Sequence, residues 1–116
     1  MKRFAALLAA LVAAEISGAW TLQYDKDFSG HPASHKCTLQ QHGDKLSGTC
    51  DGEMKLTGEV KDGKVTFEHT TGRNHDITVH YDAVVDKDAT FMKGTWRYVD
   101  PTDKKPRIGR FGLSKE

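Results

Sequence analysis

The clearest structural signal in the sequence is the stretch Cys37-Thr38-Leu39-Gln40-Gln41-His42-Gly43-Asp44-Lys45-Leu46-Ser47-Gly48-Thr49-Cys50. It predicts a β-hairpin, because Gly43-Asp44 suits the two central positions of a tight turn. With that turn, Cys37 faces Cys50 in a non-hydrogen-bonded pair, whose Cα separation of about 4.5 Å tolerates a cross-strand disulfide. The two cysteines therefore select one register, and this register places Leu39 and Leu46 on the face that carries the sulfur atoms.

The N-terminus and the predicted disulfide both indicate an oxidising compartment. The basic segment Met1-Lys2-Arg3, with its two cationic side chains, precedes a short apolar run, and Val12-Ala13-Ala14 and Ser17-Gly18-Ala19 are plausible small-residue cleavage sites. We predict that residues 1–14 are a cleaved signal peptide, that residues 15–116 form one folded domain, and that the protein is secreted or periplasmic. The alternative is an amphipathic helix that stays on the domain. The apolar run is too short for a membrane span.

Composition excludes some classes of partner. The chain has 116 residues, enough for one domain, and a formal net charge of +1 with acidic and basic residues interleaved. It therefore lacks the basic face with which a protein binds nucleic acid, and no nucleic-acid partner is expected. With 37% hydrophobic and 28% charged residues, the chain is typical of a folded, well-solvated protein.

Alternation of apolar and polar residues between compact turns predicts an all-β protein with eight strands. The expected strands are 16–24, the two arms of the cystine hairpin, 54–60, 64–70, a sixth around 77–83, a seventh around 92–98, and 107–114. Nearly every connection is short, so the simplest topology is an eight-stranded antiparallel up-and-down barrel in which the last strand closes on the first. A two-layer sandwich of the same strands is the alternative.

The first strand opens with Gly18-Ala19-Trp20, which resembles the Gly-x-Trp signature of the lipocalins and of the wider calycin superfamily. The phrase Lys45-Leu46-Ser47-Gly48-Thr49 resembles the strands of small bacterial lipocalin-like barrels and is echoed at 56–59 and 92–96. The resemblance covers most of residues 16–114. It implies structural roles for Gly18 and Trp20, with Trp20 at the closed end of the barrel and Arg110 (or Arg107) across its ring. The polar residues with which avidins hold biotin have no counterparts, so biotin binding is not implied.

The inward faces of the predicted strands supply a candidate ligand site. Glycines 48, 58 and 94 are expected to leave room on three strands, and buried tyrosine and tryptophan need polar partners, which a ligand or water can supply. The alternative is a filled core. The predicted ligand-binding residues are Tyr24, Leu39, Leu56, Phe67, His69, Tyr81 and Trp96.

Two histidines form a candidate metal site. Parity places His69 on the inner face near a rim, and His75 begins the sixth strand with the same parity, so the two imidazoles are expected to lie close together. Such a pair can ligate a metal or a haem iron. It can equally be hydrogen-bonded at the rim, and no cysteine or carboxylate completes a recognisable ligand set.

The long first connection carries further histidines. An i, i+4 pair of histidines binds metal well on a helix, but Pro32 between His31 and His35 opposes a helix here. In lipocalin-like barrels this connection folds over the open mouth, and on that resemblance His31, His35 and Phe28 gate a pocket.

No catalytic constellation is visible, so no enzyme activity and no dedicated cofactor are predicted. The first functional hypothesis is a secreted or periplasmic barrel that holds a small apolar or amphipathic ligand at one end. The second is a protein-interaction module, an inhibitor or effector, whose barrel is solid and whose surface recognises a protein partner. The third and weaker hypothesis is a carrier of haem or metal ligated by histidine.

Overall fold

The computed structural model describes residues 15–25, 33–72 and 74–116. The predicted signal peptide, Phe28 and His31 lie outside these residues. The strands are β1 Gly18–Tyr24, β2 Ala33–His42, β3 Lys45–Cys50, β4 Met54–Lys61, β5 Lys64–Thr71, β6 Ile77–Val85, β7 Phe91–Val99 and β8 Pro106–Lys115. Within this part of the chain, no helix has the length and apolar character that crossing a membrane requires.

The eight strands form one closed barrel in which each strand pairs with the next and β1 pairs with β8. All eight pairings are antiparallel. The prediction of an all-β, up-and-down barrel is confirmed, and the sandwich alternative is wrong. Closure satisfies the backbone groups of the first and last strands, which an open sheet would leave exposed at its edges.

The cystine hairpin has the predicted register. Cys37 pairs with Cys50 across β2 and β3, their Cα atoms are 4.0 Å apart, and a disulfide joins them. The same parity continues into the next hairpin, where Val60 pairs with Val65. Both sulfur-bearing residues are buried with the core, so the alternation read from the sequence separates the inside of the barrel from its outside.

One end of the barrel, which we call the closed end, contains the start of β1 and the chain terminus after β8. Trp20 is fully buried there, and its indole Nε1 donates a hydrogen bond to the carbonyl oxygen of Ile16 at 2.8 Å. Gly18 has a φ of +135°, a conformation that favours glycine over residues with a side chain. This accounts physically for the glycine of the Gly-x-Trp pattern.

The predicted arginine across Trp20 is wrong. The cation over the ring is Lys115, whose Nζ lies 5.8 Å from the ring centroid. Arg110 points outward and its Nε donates to Asp25 at 2.8 Å, while Arg107 pairs with Asp103. Closure of the barrel is the reason, because it sets Lys115 directly opposite Trp20 in the β1–β8 register.

The inward glycines do not leave room for a ligand, contrary to the sequence-based expectation. Each lies where two strands approach so closely that backbone of the neighbouring strand occupies the place of a side chain. These glycines therefore allow the sheet to bend at the corners of the barrel. An added Cβ would lie 2.3 Å from the Thr38 oxygen at Gly48, 1.9 Å from the Thr66 oxygen at Gly58, and 1.8 Å from the Asp82 oxygen at Gly94.

At the opposite end, which we call the flared end, two of the paired ladders stop before their strands do. The β6–β7 ladder begins at His80–Arg97, although β6 begins at Ile77 and β7 continues to Val99. The β4–β5 ladder likewise begins at Thr57, three residues into β4. Among the described residues, the strands at this end are therefore less completely paired than at the closed end.

Candidate functional site

All seven predicted ligand-binding residues face the interior, but they do not form one group. Their exposed fractions are 5% or less. Leu39 pairs with Gly18 and so lies toward the closed end. The flared half contains Tyr24, His69, Tyr81 and Trp96, and its polar side chains make it the candidate functional site.

Three aromatic rings fill the middle of the barrel. Phe67 stacks on Tyr81 with ring centroids 4.4 Å apart and an interplanar angle of 11°. Phe111 meets both rings edge-on, at 5.8 Å from Phe67 and 5.1 Å from Tyr81. Such edge-to-face and offset contacts are favourable arrangements for aromatic rings. This layer is a solid floor beneath the flared end.

A chain of hydrogen bonds lies on this floor. The Tyr24 and Tyr81 hydroxyl oxygens are 2.7 Å apart, and the Tyr81 hydroxyl is 2.7 Å from Nε2 of His69. Nδ1 of His69 is 3.3 Å from the carbonyl oxygen of Thr70, which can only accept. Nδ1 therefore carries the proton in neutral His69, Tyr81 donates to Nε2, and Tyr24 donates to Tyr81. All the hydrogen bonds of this network therefore donate in one direction, from Tyr24 through Tyr81 and His69 to the carbonyl group of Thr70.

Burial keeps all three side chains uncharged at neutral pH. Loss of solvation raises the pKa of Tyr24 to about 12 and raises the pKa of Tyr81 further, because a buried phenolate is costly. Burial also lowers the pKa of His69, an effect that the bond to Thr70 opposes and the charge of His35 reinforces. The neutral imidazole is the form that the hydrogen-bond chain requires.

The lowered pKa of His69 predicts a loss of stability on mild acidification. The unfolded chain takes up a proton on this histidine near its usual pKa of about 6.5, while the folded protein resists it. The free energy of unfolding is therefore expected to be highest above about pH 7 and to fall as the pH drops from there toward 5, by up to about 1.4 kcal/mol per pH unit. Urea unfolding at several pH values measures it.

His69→Gln, which keeps a hydrogen-bonding side chain but does not titrate, is expected to flatten this dependence between pH 5 and 7. His80→Gln is the control, since His80 lies on the outer surface of β6. The carboxyl groups with lowered pKa, such as Asp51 and Asp86, lose their contributions at lower pH and leave this window unaffected. An unchanged slope in the His69 variant would contradict the assignment.

A second polar pair lies at the flared end and joins His35, which the sequence predicts only as a gating residue, to Asp51, which the sequence analysis did not single out. His35 Nδ1 contacts the carboxylate of Asp51, and the His35 ring meets Tyr24 edge-on with centroids 5.7 Å apart. The hydrogen bond from His35 lowers the pKa of Asp51. The signal was available in the sequence, because the Cys37–Cys50 pairing brings the residues that precede Cys37 next to the residue that follows Cys50.

The predicted proximity of His75 and His69 on one inner face is wrong. β6 begins at Ile77, so His75 lies in the preceding turn, exposed and with a φ of +55°. Its Nδ1 is 3.5 Å from Thr70 Oγ1. Within the described ranges, no three His, Cys, Asp or Glu side chains come together as a metal site would require. A metal or haem role for either histidine gains no support from this arrangement.

The fold and site define a class: a closed, eight-stranded antiparallel barrel with a polar aromatic cluster at its flared end. No protein-family model and no curated protein matches the sequence. Membership of the lipocalins or the calycin superfamily therefore stays a prediction.

Two solved structures are similar to this chain, each at 14% sequence identity. One is a redesigned β-barrel, b11L5F_LGL, with a TM-score of 0.65, covering 91% of this chain and 96% of its own. The other is EF1p2_mFAP2b bound to DFHBI, with a TM-score of 0.64, covering 92% and 98%. At this identity the similarity shows the shared fold.

Proposed function

We propose that this protein is a secreted or periplasmic barrel that binds a small apolar or amphipathic molecule at its flared end. The observation that carries the proposal is the buried chain Tyr24–Tyr81–His69, with its 2.7 Å contacts, set among aromatic rings. Such a cluster offers an apolar surface and a few fixed polar groups, the combination found in small-molecule sites.

The contrast between the two ends supports this interpretation. The closed end buries apolar side chains such as Ile16, Met92 and Leu113, each at 0% exposure. The flared end instead buries an imidazole and two hydroxyl groups, which cost free energy unless they are hydrogen-bonded. The concentration of these polar groups at one end of the barrel supports recognition of a ligand there.

The filled centre limits where the ligand sits. Because Phe67, Tyr81 and Phe111 occupy the middle, the ligand lies above them, toward the turns of the flared end. Trp96 and Tyr98 stack there with centroids 5.9 Å apart, and Trp96 meets Tyr24 edge-on at 6.4 Å. These rings favour a flat molecule of modest size, with its polar group toward the hydrogen-bond chain.

Two further observations are consistent with the proposal. EF1p2_mFAP2b, which shares the fold, was determined with DFHBI bound. The disulfide is compatible with secretion or with the periplasm, where such bonds persist. The apolar N-terminal run of the sequence agrees with export.

The two tryptophans provide the test, because they lie at opposite ends of the barrel. In a ¹⁵N–¹H NMR titration with 2-naphthol, a small neutral amphipathic probe, we expect the indole resonance of Trp96 to shift and that of Trp20 to stay. Trp20→Phe and Trp96→Phe variants assign the two resonances. Binding at the flared end would be contradicted if neither indole resonance moves at saturating 2-naphthol, or if only the Trp20 resonance shifts.

Tyr81→Phe is expected to weaken this binding by about fivefold, because the polar group of the ligand then loses one neutral hydrogen bond to the Tyr24–Tyr81–His69 cluster, worth about 1 kcal/mol. Thr66→Val is the matched control: it removes a hydroxyl from the neighbouring strand β5 on the outer face. If the two variants bind the probe with equal affinity, the Tyr81 hydroxyl takes no part in ligand binding and the prediction is wrong.

A further inference from the structure

Two polar groups lie next to each other at the flared end, the Tyr24–Tyr81–His69 chain and the His35–Asp51 pair. The rings of Tyr24 and His35 meet edge-on with centroids 5.7 Å apart. The alternation of β2 places His35 on the inner face, where it is half-buried. A molecule bound at the flared end therefore meets both groups, and the positions of their protons decide which polar group it can carry.

In the hydrogen-bond chain, each proton is donated to an acceptor inside the barrel. His69 Nδ1 donates to the carbonyl oxygen of Thr70 at 3.3 Å, and Tyr81 donates to His69 Nε2 at 2.7 Å. Tyr24 in turn donates to Tyr81 at 2.7 Å. A hydroxyl group has one proton and two lone pairs. Because both tyrosine protons are used within the chain, the two hydroxyl groups offer a ligand lone pairs and not protons.

The His35–Asp51 pair has the same polarity. Nδ1 of His35 contacts one carboxylate oxygen of Asp51, and the other oxygen accepts from the backbone N–H of Lys36 at 3.2 Å. The hydrogen bond from His35 lowers the pKa of Asp51, so this carboxylate stays ionised and can only accept. Nδ1 therefore carries the proton. In the neutral imidazole, Nε2 of His35 then presents a lone pair.

Trp96 contributes an aromatic ring to the flared end, and the edge of that ring that carries the N–H is covered. Trp96 lies directly opposite Gly109 in the β7–β8 register. An added Cβ at Gly109 would lie 2.2 Å from Cζ2 and 2.7 Å from Nε1 of the indole, so this edge packs against β8. The indole therefore adds apolar surface beside the lone pairs of Tyr24 and His35.

We propose that the flared end selects an aromatic molecule with a neutral hydrogen-bond donor, a hydroxyl or an N–H group, as in a phenol. The lone pairs of the tyrosine hydroxyls and of His35 Nε2 hold the donor. An ether, a ketone or a carboxylate sets its lone pairs against these lone pairs and leaves buried acceptors unsatisfied, which costs free energy. A carboxylate also loses its hydration. This inference rests on the proposed function and narrows its ligand to one chemical class.

Two probes with the same ring system test the selection. 2-Methoxynaphthalene matches 2-naphthol but has no proton to donate. At pH 8, above the usual histidine pKa of about 6.5, NMR titrations follow the Trp96 indole resonance with each probe. We expect 2-naphthol to bind about fivefold or more tightly. The methyl group of the ether adds apolar surface, so hydrophobic burial would favour the opposite order. The anion 2-naphthoate is expected to bind more weakly than 2-naphthol.

Tyr81→Phe is expected to change the preference between the two probes. It removes the acceptor of the Tyr24 proton, so Tyr24 can donate to a ligand. Binding of 2-naphthol should weaken while 2-methoxynaphthalene binds equally or more tightly, and the preference falls by about fivefold or more. Thr66→Val, which removes an outward hydroxyl from β5, should leave the preference unchanged. If Tyr81→Phe weakens both probes equally, the hydroxyl acts through packing and the inference is overturned.

The proton positions can be measured without any ligand. Long-range ¹⁵N–¹H correlation spectra at pH 8 should show His35 and His69 protonated at Nδ1 and unprotonated at Nε2, with His35→Gln and His69→Gln variants for assignment. A proton on Nε2 of either ring overturns the inference. Equal affinity of the native protein for 2-naphthol and 2-methoxynaphthalene overturns it too, but leaves the proposed function standing. If neither probe moves the Trp96 resonance, the proposed function and this inference are both wrong.

Discussion

Gly58→Ala is expected to lower the free energy of unfolding by about 3 kcal/mol or more, the upper range for overpacking a well-packed core. The added Cβ would lie 1.9 Å from the Thr66 oxygen and 2.6 Å from Cα of Phe67. Both are backbone atoms, so no side-chain rotation relieves the clash, and β4 and β5 must move apart. Urea denaturation followed by circular dichroism measures the effect. A Gly58→Ala protein that is already unfolded in the absence of urea also meets this prediction.

Gly112→Ala is the matched control, because it is the same substitution in a strand of the same barrel. Its Cβ would lie 3.4 Å from Cζ of Phe91, an ordinary contact with a side chain. Stability should be unchanged or rise by about 0.5 kcal/mol, since alanine in a strand loses less conformational entropy than glycine. If Gly58→Ala and Gly112→Ala are equally stable, close strand approach is not the reason for glycine at position 58.

Removal of the disulfide by Cys37→Ala with Cys50→Ala is expected to cost about 3 kcal/mol from loop closure alone. The bridge closes a loop with a sequence separation of 13 residues, and Cys37 and Cys50 are 3% and 0% exposed. Total stability of such a domain is about 5–15 kcal/mol, so the loss is a large share. The urea midpoint of unfolding reports it.

Cys37→Val with Cys50→Val separates the crosslink from packing, because valine keeps more of the buried volume than alanine. We expect most of the loss to remain in the valine pair, since the unfolded chain regains its freedom in both variants. A valine pair as stable as the oxidised protein would mean that the bridge acts by filling space and not by restricting the unfolded state.

Much of the fold follows from sequence parity. Once Cys37 is set opposite Cys50, alternation assigns Leu39, Leu46 and Leu56 to the interior, and all three are buried there. His69 was also placed correctly on the inner face by the same reasoning. Parity has a period of two residues, so it fixes the face of a side chain wherever the strand is continuous.

The errors fall where strand continuity ends or where distant strands meet. His75 was assigned to a strand, but the turn before β6 extends through it. The cation over Trp20 is Lys115 because barrel closure sets the β1–β8 register, which no local pattern reports. Parity also predicts free space at the inward glycines, where the neighbouring backbone lies, because parity gives a direction and not a distance to the neighbouring strand.

The order of polar and apolar residues along the chain was enough to establish the strands, the turns, the disulfide and the inner face. Closure of the barrel and the stagger of its strands decided the contacts between distant side chains, because they set which inner residues meet across the barrel. Tyr24 and Tyr81 are separated by 57 residues, yet their hydroxyl groups share a hydrogen bond. Side chains from β1, β5 and β6 meet there because the sheet curves back on itself, and curvature is a property of all eight strands together.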